Sequence, residues 1–224
     1  MNRTVKYIFL LFIFGLFSLP AFAQSSSVID DDDLQSWDDI NLTVPLNETF
    51  DLYFPVTFRF GKNISRLNEG RIGAGIVLKP SKRFAVTPFY TFIRSRNSAG
   101  VFKTENRISL RGVYRFPVKH FGLSHRSQYE YRIRSTGNLW RYRPSLTFEK
   151  ELPKNLGSGL KFFVTEEPFY ESASGRFSRN RLSAGINKVL NKNLSLDIYF
   201  LHQGDNFSHP SNINVIGTVW RVKL

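Results

Sequence analysis

The sequence contains no cysteine, and none of its 224 residues belongs to an apolar run long enough for a comfortable transmembrane helix. The absence of cysteine excludes a disulfide framework and a lipoprotein anchor. The chain also lacks a phosphate-binding loop and a dinucleotide fingerprint, so no cofactor is indicated. What remains is a chain rich in aromatic residues (15%) and in basic residues, with 31 Lys and Arg against 18 Asp and Glu.

The first 23 residues have the layout of a secretory signal peptide. Arg3 and Lys6 form a basic start, an apolar core runs over residues 7–17, and the triplet at 21–23 reads Ala-Phe-Ala. This order of regions predicts export and cleavage before Gln24. We therefore expect a Gram-negative bacterial protein that reaches the outer membrane.

Residues 24–36 form an acidic segment without hydrophobic periodicity, and residues 37–224 are predicted to form a single β-barrel domain. The acidic segment predicts a flexible leader. Its four aspartates could remain in solvent, or they could enter the barrel as a plug against interior arginines; they are Asp30, Asp31, Asp32 and Asp33.

The formal net charge of +13 indicates an anionic partner. Export argues against nucleic acid, and the arginines alternate within strand patterns instead of forming a surface stripe. Anionic lipid headgroups, or a lumen that attracts small anions, fit this distribution better.

The segment from Arg126 to Phe148 decides the fold class. On either side of a short gap at 136–138, polar residues (Arg, Glu, Gln, Ser and Thr, with Arg the most frequent) occupy every second position. Tyr, Ile, Trp, Leu and Phe occupy most of the positions between them. A period of two places these sets on opposite faces of two strands. Since no helix or second sheet is predicted to cover the apolar face, we expect that face to meet lipid while the arginines line a wet interior.

The same alternation recurs along the chain and gives eleven clear strands. An antiparallel barrel closes with an even number, so the sequence predicts an all-β, antiparallel transmembrane barrel of 10–12 strands, with twelve favoured. The twelfth strand would lie within residues 24–33. The gaps alternate between short and long, which predicts short periplasmic turns and longer outer loops.

Aromatic residues near strand ends are expected to form interfacial girdles, with Trp37, Trp140 and Tyr170 among them. The last strand alternates Trp220, Val222 and Leu224 up to the final residue. This pattern is similar to the C-terminal signal of outer-membrane proteins, although Phe is usual at the last position. It predicts recognition by the barrel-assembly machinery.

The charged residues on the predicted interior face are the candidate functional residues. They could form a closed, ion-paired structural lumen or line a narrow, anion-tolerant, porin-like channel. The candidates are Arg59, Arg107, Arg111, Arg115, Arg126, Glu130, Arg132, Arg141, Arg143, Glu149, Glu167, Arg181 and Asp197.

A membrane-embedded hydrolase acting on lipid or a related substrate is the alternative. It requires a serine and a histidine near the lipid-facing rim, oriented by a third polar group. Such groups cluster at His202 to His209, but no catalytic motif can be defended there. The run Asp30 to Asp33 lacks the glycine and distal glutamate of a calcium loop, so no metal site is predicted.

Short motifs along the mature chain resemble the DUF2490 family of bacterial proteins. The resemblance spans roughly residues 37–224 and implies an exported, outer-membrane-like β-barrel without an assigned activity, so no catalytic residues carry over. Gln128 departs from the arginine series usual in the first motif. The motifs are Arg126-x-Gln-x-Glu130-x-Arg132, Trp140-Arg-Tyr-Arg143, Glu167-Pro-Phe-Tyr170, Asn180-Arg181-Leu-Ser-Ala-Gly185, Trp37 with Leu-Thr-x-Pro-Leu, and Asn193-Leu-Ser-Leu.

Overall fold

A computed structural model of the protein describes residues 32–97, 99–205 and 209–224. Eleven strands within these ranges close into one barrel, and a short 3-10 helix lies at Lys154–Leu156. The strands are β1 (Asp32–Pro45), β2 (Phe50–Gly61), β3 (Arg66–Ser81), β4 (Phe84–Arg96), β5 (Phe102–Arg115), β6 (Gly122–Arg134), β7 (Leu139–Glu151), β8 (Leu160–Glu171), β9 (Arg176–Asn191), β10 (Leu194–Asp205) and β11 (Asn212–Lys223).

The period of two separates an apolar outer face from a polar interior. In β6, Gln128 and Glu130 are buried inside the barrel, whereas Tyr129 and Tyr131 are exposed on its outer surface. Large apolar side chains are exposed on the outside of many strands, among them Phe54, Phe58, Ile72, Ile76, Tyr90, Ile108, Leu110, Trp140, Leu146, Leu182, Ile198, Phe200 and Ile216.

Closure of the barrel depends on a parallel pair. β1 pairs with β2 in the antiparallel sense and with β11 in the parallel sense, from Asp32 beside Asn212 to Thr43 beside Lys223. One parallel pair removes the requirement for an even number of strands. The preference for twelve strands is therefore not confirmed, because the eleven strands counted in the sequence close the described chain by themselves.

The parallel pair also places the two ends of the described chain at opposite ends of the barrel, called here the Asp32 end and the Leu224 end. Turns 62–65, 135–138 and 172–175 lie at the Asp32 end, together with the described residues 97, 99–101 and 209–211. Turns 46–49, 82–83, 116–121, 152–159 and 192–193 lie at the Leu224 end.

The predicted alternation of short turns and long loops is absent from the described connections. The predicted loop at 61–70, for example, shrinks to 62–65, because β3 begins at Arg66. The hairpin hydrogen bonds continue past the apolar part of each strand into polar residues. Strand length is set by backbone pairing, whereas the sequence pattern marks only the segment with an apolar outer face.

A small apolar cluster lies inside the barrel where β1, β10 and β11 meet. Trp37, Leu201 and Val215 are buried there, with Tyr199 packed against them. The Tyr199 ring lies over Gly217, whose missing side chain leaves room for it. The expectation of a girdle position for Trp37 is wrong. Trp37 is an odd-numbered residue of β1, and the odd positions of that strand point inward.

The first strand begins earlier than the predicted barrel boundary at residue 37. Asp32 to Ser36 belong to β1 and pair with β11. The remainder of the predicted leader and the whole predicted signal peptide lie outside the described residues. Within those that are described, no helix is both long and apolar enough to cross a membrane.

Candidate functional site: the charged lumen

Glu130 lies at the centre of the interior, and its side chain is fully buried. Its carboxylate accepts hydrogen bonds of 2.7 Å from Nη1 of Arg143 and 2.7 Å from Nε2 of Gln128. Nη1 of Arg107 lies 3.3 Å from Glu130 Oε2, and Nη1 of Arg141 lies 3.6 Å from it. A buried carboxylate needs such partners, because an unpaired charge in this position is very costly.

Glu167 on β8 is the second carboxylate of the interior. Nε of Arg143 donates to Glu167 Oε1 at 3.1 Å, and Nη2 of Arg143 donates to Glu167 Oε2 at 3.0 Å. Arg126 also donates to Glu167, and Nη1 of Arg181 lies 3.8 Å away. Arg143 therefore joins Glu130 to Glu167, and its planar guanidinium makes the two-bond geometry that a lysine cannot reproduce.

Two further glutamates extend the network toward the Asp32 end. Glu105 accepts hydrogen bonds from Arg107 at 2.6 Å and from Arg132 at 2.7 Å. Glu171 forms an ion pair with Arg141, with 2.6 Å between Oε1 and Nη2, and its Oε2 lies 3.8 Å from Nη1 of Arg132. Each of these arginines bridges two carboxylates on different strands. Arg107 joins β5 to β6, Arg141 joins β6 to β8, and Arg132 joins β5 to β8 across the lumen.

A third group lies beside the network on β2 and β3. Glu69 pairs with Arg71 at 2.5 Å and with Arg59 at 3.3 Å, and Arg59 stacks on the same Trp37 ring as Arg181 of the network. The ion-paired network and this trio together are called the lumen plate below. It carries more guanidinium groups than carboxylates and is therefore positively charged; its members are Glu69, Glu105, Glu130, Glu167 and Glu171 with Arg59, Arg71, Arg107, Arg126, Arg132, Arg141, Arg143 and Arg181.

Two aromatic rings hold the guanidinium groups of the plate in layers. The guanidinium carbon of Arg59 lies 3.8 Å from the centroid of the Trp37 ring, and that of Arg181 lies 4.6 Å from it. Phe169 has no exposed surface. Stacking on a ring spaces like charges apart and is attractive in itself. The guanidinium groups within 5.6 Å of the Phe169 centroid belong to Arg141, Arg143, Arg179 and Arg181.

Cavities lie on both sides of the plate. A cavity of about 420 Å³ lies on its Leu224 side and shares Arg126 and Arg221 with a wider space of about 690 Å³ that reaches the rim. On the Asp32 side lies a cavity of about 270 Å³. The 420 Å³ and 270 Å³ cavities share four lining residues, which are Arg59, Arg71, Arg107 and Arg143. The plate therefore separates two water-accessible vestibules.

The sequence matches one family model over residues 34–214, that of a protein of unknown function, DUF2490. The chain belongs to the DUF2490 family. This confirms the resemblance drawn from the motifs, and those motifs contribute Glu130, Arg143, Glu167 and Arg181 to the plate. No curated protein matches the chain.

Solved structures share the barrel fold with this DUF2490 chain. The β domain of the Bordetella autotransporter BrkA is 13% identical, with a TM-score of 0.52 over 79% of this chain and 84% of that one. The anion-selective porin from Comamonas acidovorans is 14% identical, with a TM-score of 0.41 over 80% of this chain and 54% of that one. The NanC porin is 11% identical, with a TM-score of 0.48 over 85% and 96%. The chain thus spans about half the length of the Comamonas porin. At 13% identity, the likeness to the BrkA β domain shows the barrel fold alone.

Ten of the thirteen interior residues predicted from the sequence meet at the plate or contact it. Arg111 reaches the plate through Gln128: Arg111 Nε donates to Gln128 at 2.8 Å, and Gln128 Nε2 donates to Glu130 at 2.7 Å. The other three lie nearer the Leu224 end and line the wide cavity. There Asp197 pairs with Arg221 at 2.5 Å, while Arg115 and Glu149 contribute to the wall.

Sequence reasoning missed three of the five plate glutamates, which are Glu69, Glu105 and Glu171. Each lies beyond the apolar stretch of its strand, in a segment taken for a loop or left unassigned. Each nevertheless continues the inward phase of its strand. Extending the period of two past the last apolar residue would have found them.

The predicted plug lies only partly within the described chain. Asp30 and Asp31 are outside it, and Asp32 is an exposed residue of β1. Asp33 accepts hydrogen bonds from the backbone N–H of Asn63 at 2.9 Å and of Lys62 at 3.2 Å. Its carboxylate therefore caps the turn between β2 and β3, where the backbone at both turn residues has positive φ.

The histidines were weighed for the hydrolase alternative. His202 Nδ1 lies 3.0 Å from Asn214 Oδ1 on the outer face, but residues 206–208 of that tract are outside the described chain. A different pair lies on β6, where His125 Nε2 is 3.0 Å from Ser127 Oγ, itself 3.1 Å from the Tyr142 hydroxyl. The spacing His-x-Ser on one face of a strand was the signal for it. Among the described residues, no group of three or more His, Asp or Glu side chains could hold a metal ion.

Proposed function

We propose that this DUF2490 protein is an outer-membrane β-barrel whose positively charged lumen admits small anions and passes them slowly through the plate. The supporting observation is the 420 Å³ cavity, whose wall has seven arginines and two carboxylates, Asp39 and Glu130. A wall of this composition concentrates anions and excludes cations. The arginines are Arg59, Arg71, Arg107, Arg111, Arg126, Arg143 and Arg221.

Membrane insertion of the barrel is supported by the exposed apolar residues on the outside of many strands. In water such a large apolar surface would cause the protein to aggregate. In a bilayer the same surface contacts the acyl chains of the lipid. The outer-membrane lipid is thus the first partner. The barrel-assembly machinery is the second, through the closing strand β11 with Trp220 and Val222. Deleting residues 222–224 is expected to lower the amount of inserted protein, and normal insertion would contradict that role.

Conductance in planar bilayers tests the channel. Purified mature protein is expected to give small, stable current steps whose reversal potential in a salt gradient shows anion preference. Arg221→Glu should weaken that preference, since Arg221 lines both cavities on the Leu224 side. Arg83→Glu, a change of equal charge in an exposed turn, serves as the control. Silent bilayers with correctly folded protein would establish the closed, structural barrel instead.

A second candidate function, acyl-ester hydrolysis, rests on the contact between His125 and Ser127. A histidine at this distance can accept the serine proton and so activate a nucleophile. An activated serine is labelled by a fluorophosphonate, and the label should be lost in Ser127→Ala. Absence of labelling in folded wild-type protein would remove this candidate and leave the pair as a polar contact on the outer face.

A further inference from the structure

The 420 Å³ cavity contains one arginine whose charge is unmatched by a carboxylate. Among the cavity arginines of the described chain, Arg111 is the one whose hydrogen bonds go to neutral groups. Its Nε donates to Gln128 Oε1 at 2.8 Å, and its Nη1 lies 3.5 Å from the Tyr53 hydroxyl. The other six arginines each pair with a glutamate or aspartate. A guanidinium in this position attracts an anion from solution.

A second guanidinium belongs to the wall of the same cavity, that of Arg126. Its side chain is 29% exposed and donates to Glu167 through a terminal nitrogen, whereas its Nε is buried. Arg111 and Arg126 therefore place two guanidinium groups on one cavity wall.

The rest of the cavity wall offers groups that recognise hydroxyls and a ring. Asn41, Thr43 and Thr91 provide neutral donors and acceptors, and Tyr53 adds a phenolic hydroxyl. The Tyr53 ring packs edge-on against Phe89, with 6.0 Å between the ring centroids.

The Phe89 ring lies 4.7 Å from the Arg111 guanidinium, and Pro55 extends the apolar surface beside it. Phe89 is 8% exposed and the Arg111 guanidinium lies over its ring, so the apolar part of the wall, with Pro55, directly adjoins the unmatched charge. A volume of about 420 Å³ lies within the usual range of small-ligand sites.

From this combination we infer that the cavity binds an acidic monosaccharide of the hexuronate class. The carboxylate of the sugar pairs with Arg111 and reaches Arg126, its hydroxyls bond to the neutral polar groups, and one face of its ring packs on Phe89 and Pro55. Asn41 and Tyr53 already bond to each other, with the Tyr53 hydroxyl donating to Asn41 Oδ1 at 2.7 Å. An inorganic anion would use the charge but make no contact with Thr43, Thr91 or the apolar part of the wall. This inference rests on the proposed admission of anions to the lumen.

Calorimetric titration of the detergent-solubilised mature protein tests the assignment, with glucuronate as the probe. Glucose is the neutral control, and acetate is the charge-only control. Glucuronate is expected to bind at least about tenfold more tightly than either, because each control lacks one part of the recognised set. Equal affinity for acetate and glucuronate would overturn the sugar class and identify a general anion site.

Variants at Arg111 locate the site. Arg111→Gln should weaken glucuronate binding by about tenfold or more, and Arg111→Lys should weaken it less, since lysine keeps the charge but loses the planar fork. Arg83→Gln should leave the affinity unchanged. Retained heat-modifiable migration in gels shows that each variant is folded. Unchanged glucuronate binding in folded Arg111→Gln would place the ligand elsewhere and overturn the assignment.

The two proposals fail in different ways. Glucuronate binding without any current would disprove slow conduction and leave the binding site intact. Anion-selective current with no glucuronate binding would preserve the proposed function and reject the sugar.

Discussion

The carboxylate of Glu130 on β6 lies 2.7 Å from Nη1 of Arg143 on β7, with the glutamate side chain fully buried and the arginine side chain 12% exposed. This pair crosses two neighbouring strands at the centre of the barrel. Arg143 also donates to both carboxylate oxygens of Glu167. Loss of the Glu130 charge therefore affects an arginine that pairs with a second carboxylate of the plate.

Replacing Glu130 with glutamine should strongly destabilise the barrel. The change keeps the shape but leaves Arg107, Arg141 and Arg143 short of a buried counter-charge, which typically costs about 3–5 kcal/mol of unfolding free energy. Urea unfolding in lipid vesicles measures the difference. Glu151→Gln is the matched control, because the Glu151 side chain is 81% exposed and its loss should change stability by less than about 0.5 kcal/mol. Equal unfolding free energies of Glu130→Gln and Glu151→Gln would show that the plate arginines do not need the Glu130 charge for stability.

Phe169 is expected to matter through both its volume and its ring. Phe169→Ala removes a fully buried ring and should cost about 3–5 kcal/mol. Phe169→Leu retains most of the volume but removes the aromatic face on which four guanidinium groups lie. We expect an intermediate loss for Phe169→Leu in the same unfolding experiment. If leucine restored full stability, volume alone would explain the position.

The three tryptophans report on membrane insertion, because they differ in location. Trp140 is 46% exposed and Trp220 is 37% exposed, both on the outer face, whereas Trp37 is 4% exposed inside the lumen. In single-tryptophan variants reconstituted with brominated lipid, the fluorescence of Trp140 and Trp220 should be quenched and that of Trp37 should persist. Equal quenching of all three, or of none, would contradict an apolar outer face in contact with acyl chains.

The parallel pairing of β1 with β11 predicts the sidedness of the chain. Since the native sequence has no cysteine, single cysteines can be placed at Asp32 and Leu224 without background labelling. A membrane-impermeant maleimide added to intact cells should label one of the two positions and not the other. Ser65→Cys should match Asp32→Cys, and Lys192→Cys should match Leu224→Cys. Labelling of both Asp32→Cys and Leu224→Cys, or of Ser65→Cys together with Leu224→Cys, would contradict this arrangement of the ends.

The sequence alone determined the eleven strand segments, the apolar face of each strand and the family, because side-chain alternation is legible along a single strand. It did not determine the number of strands in the closed barrel, for which it favoured twelve. Tyr129 and Tyr131 alternate with Gln128 and Glu130, so the outward and inward sets separate before any fold is known. The same reasoning placed Glu130, Arg143 and Glu167 on one interior face.

Only the tertiary structure decided how the barrel closes and which charges meet. The parallel contact between β1 and β11 joins segments near opposite ends of the sequence, and nothing in the local pattern of either strand specifies it. Trp37 points inward because it lies at an odd-numbered position of β1. The apolar alternation recognised in the sequence began only at Ile40, so it did not show on which face Trp37 lies. The unmatched charge of Arg111 likewise became visible only when all eleven strands had brought their inward residues together. Pairing among charges depends on distance in space, which alternation along one strand does not encode.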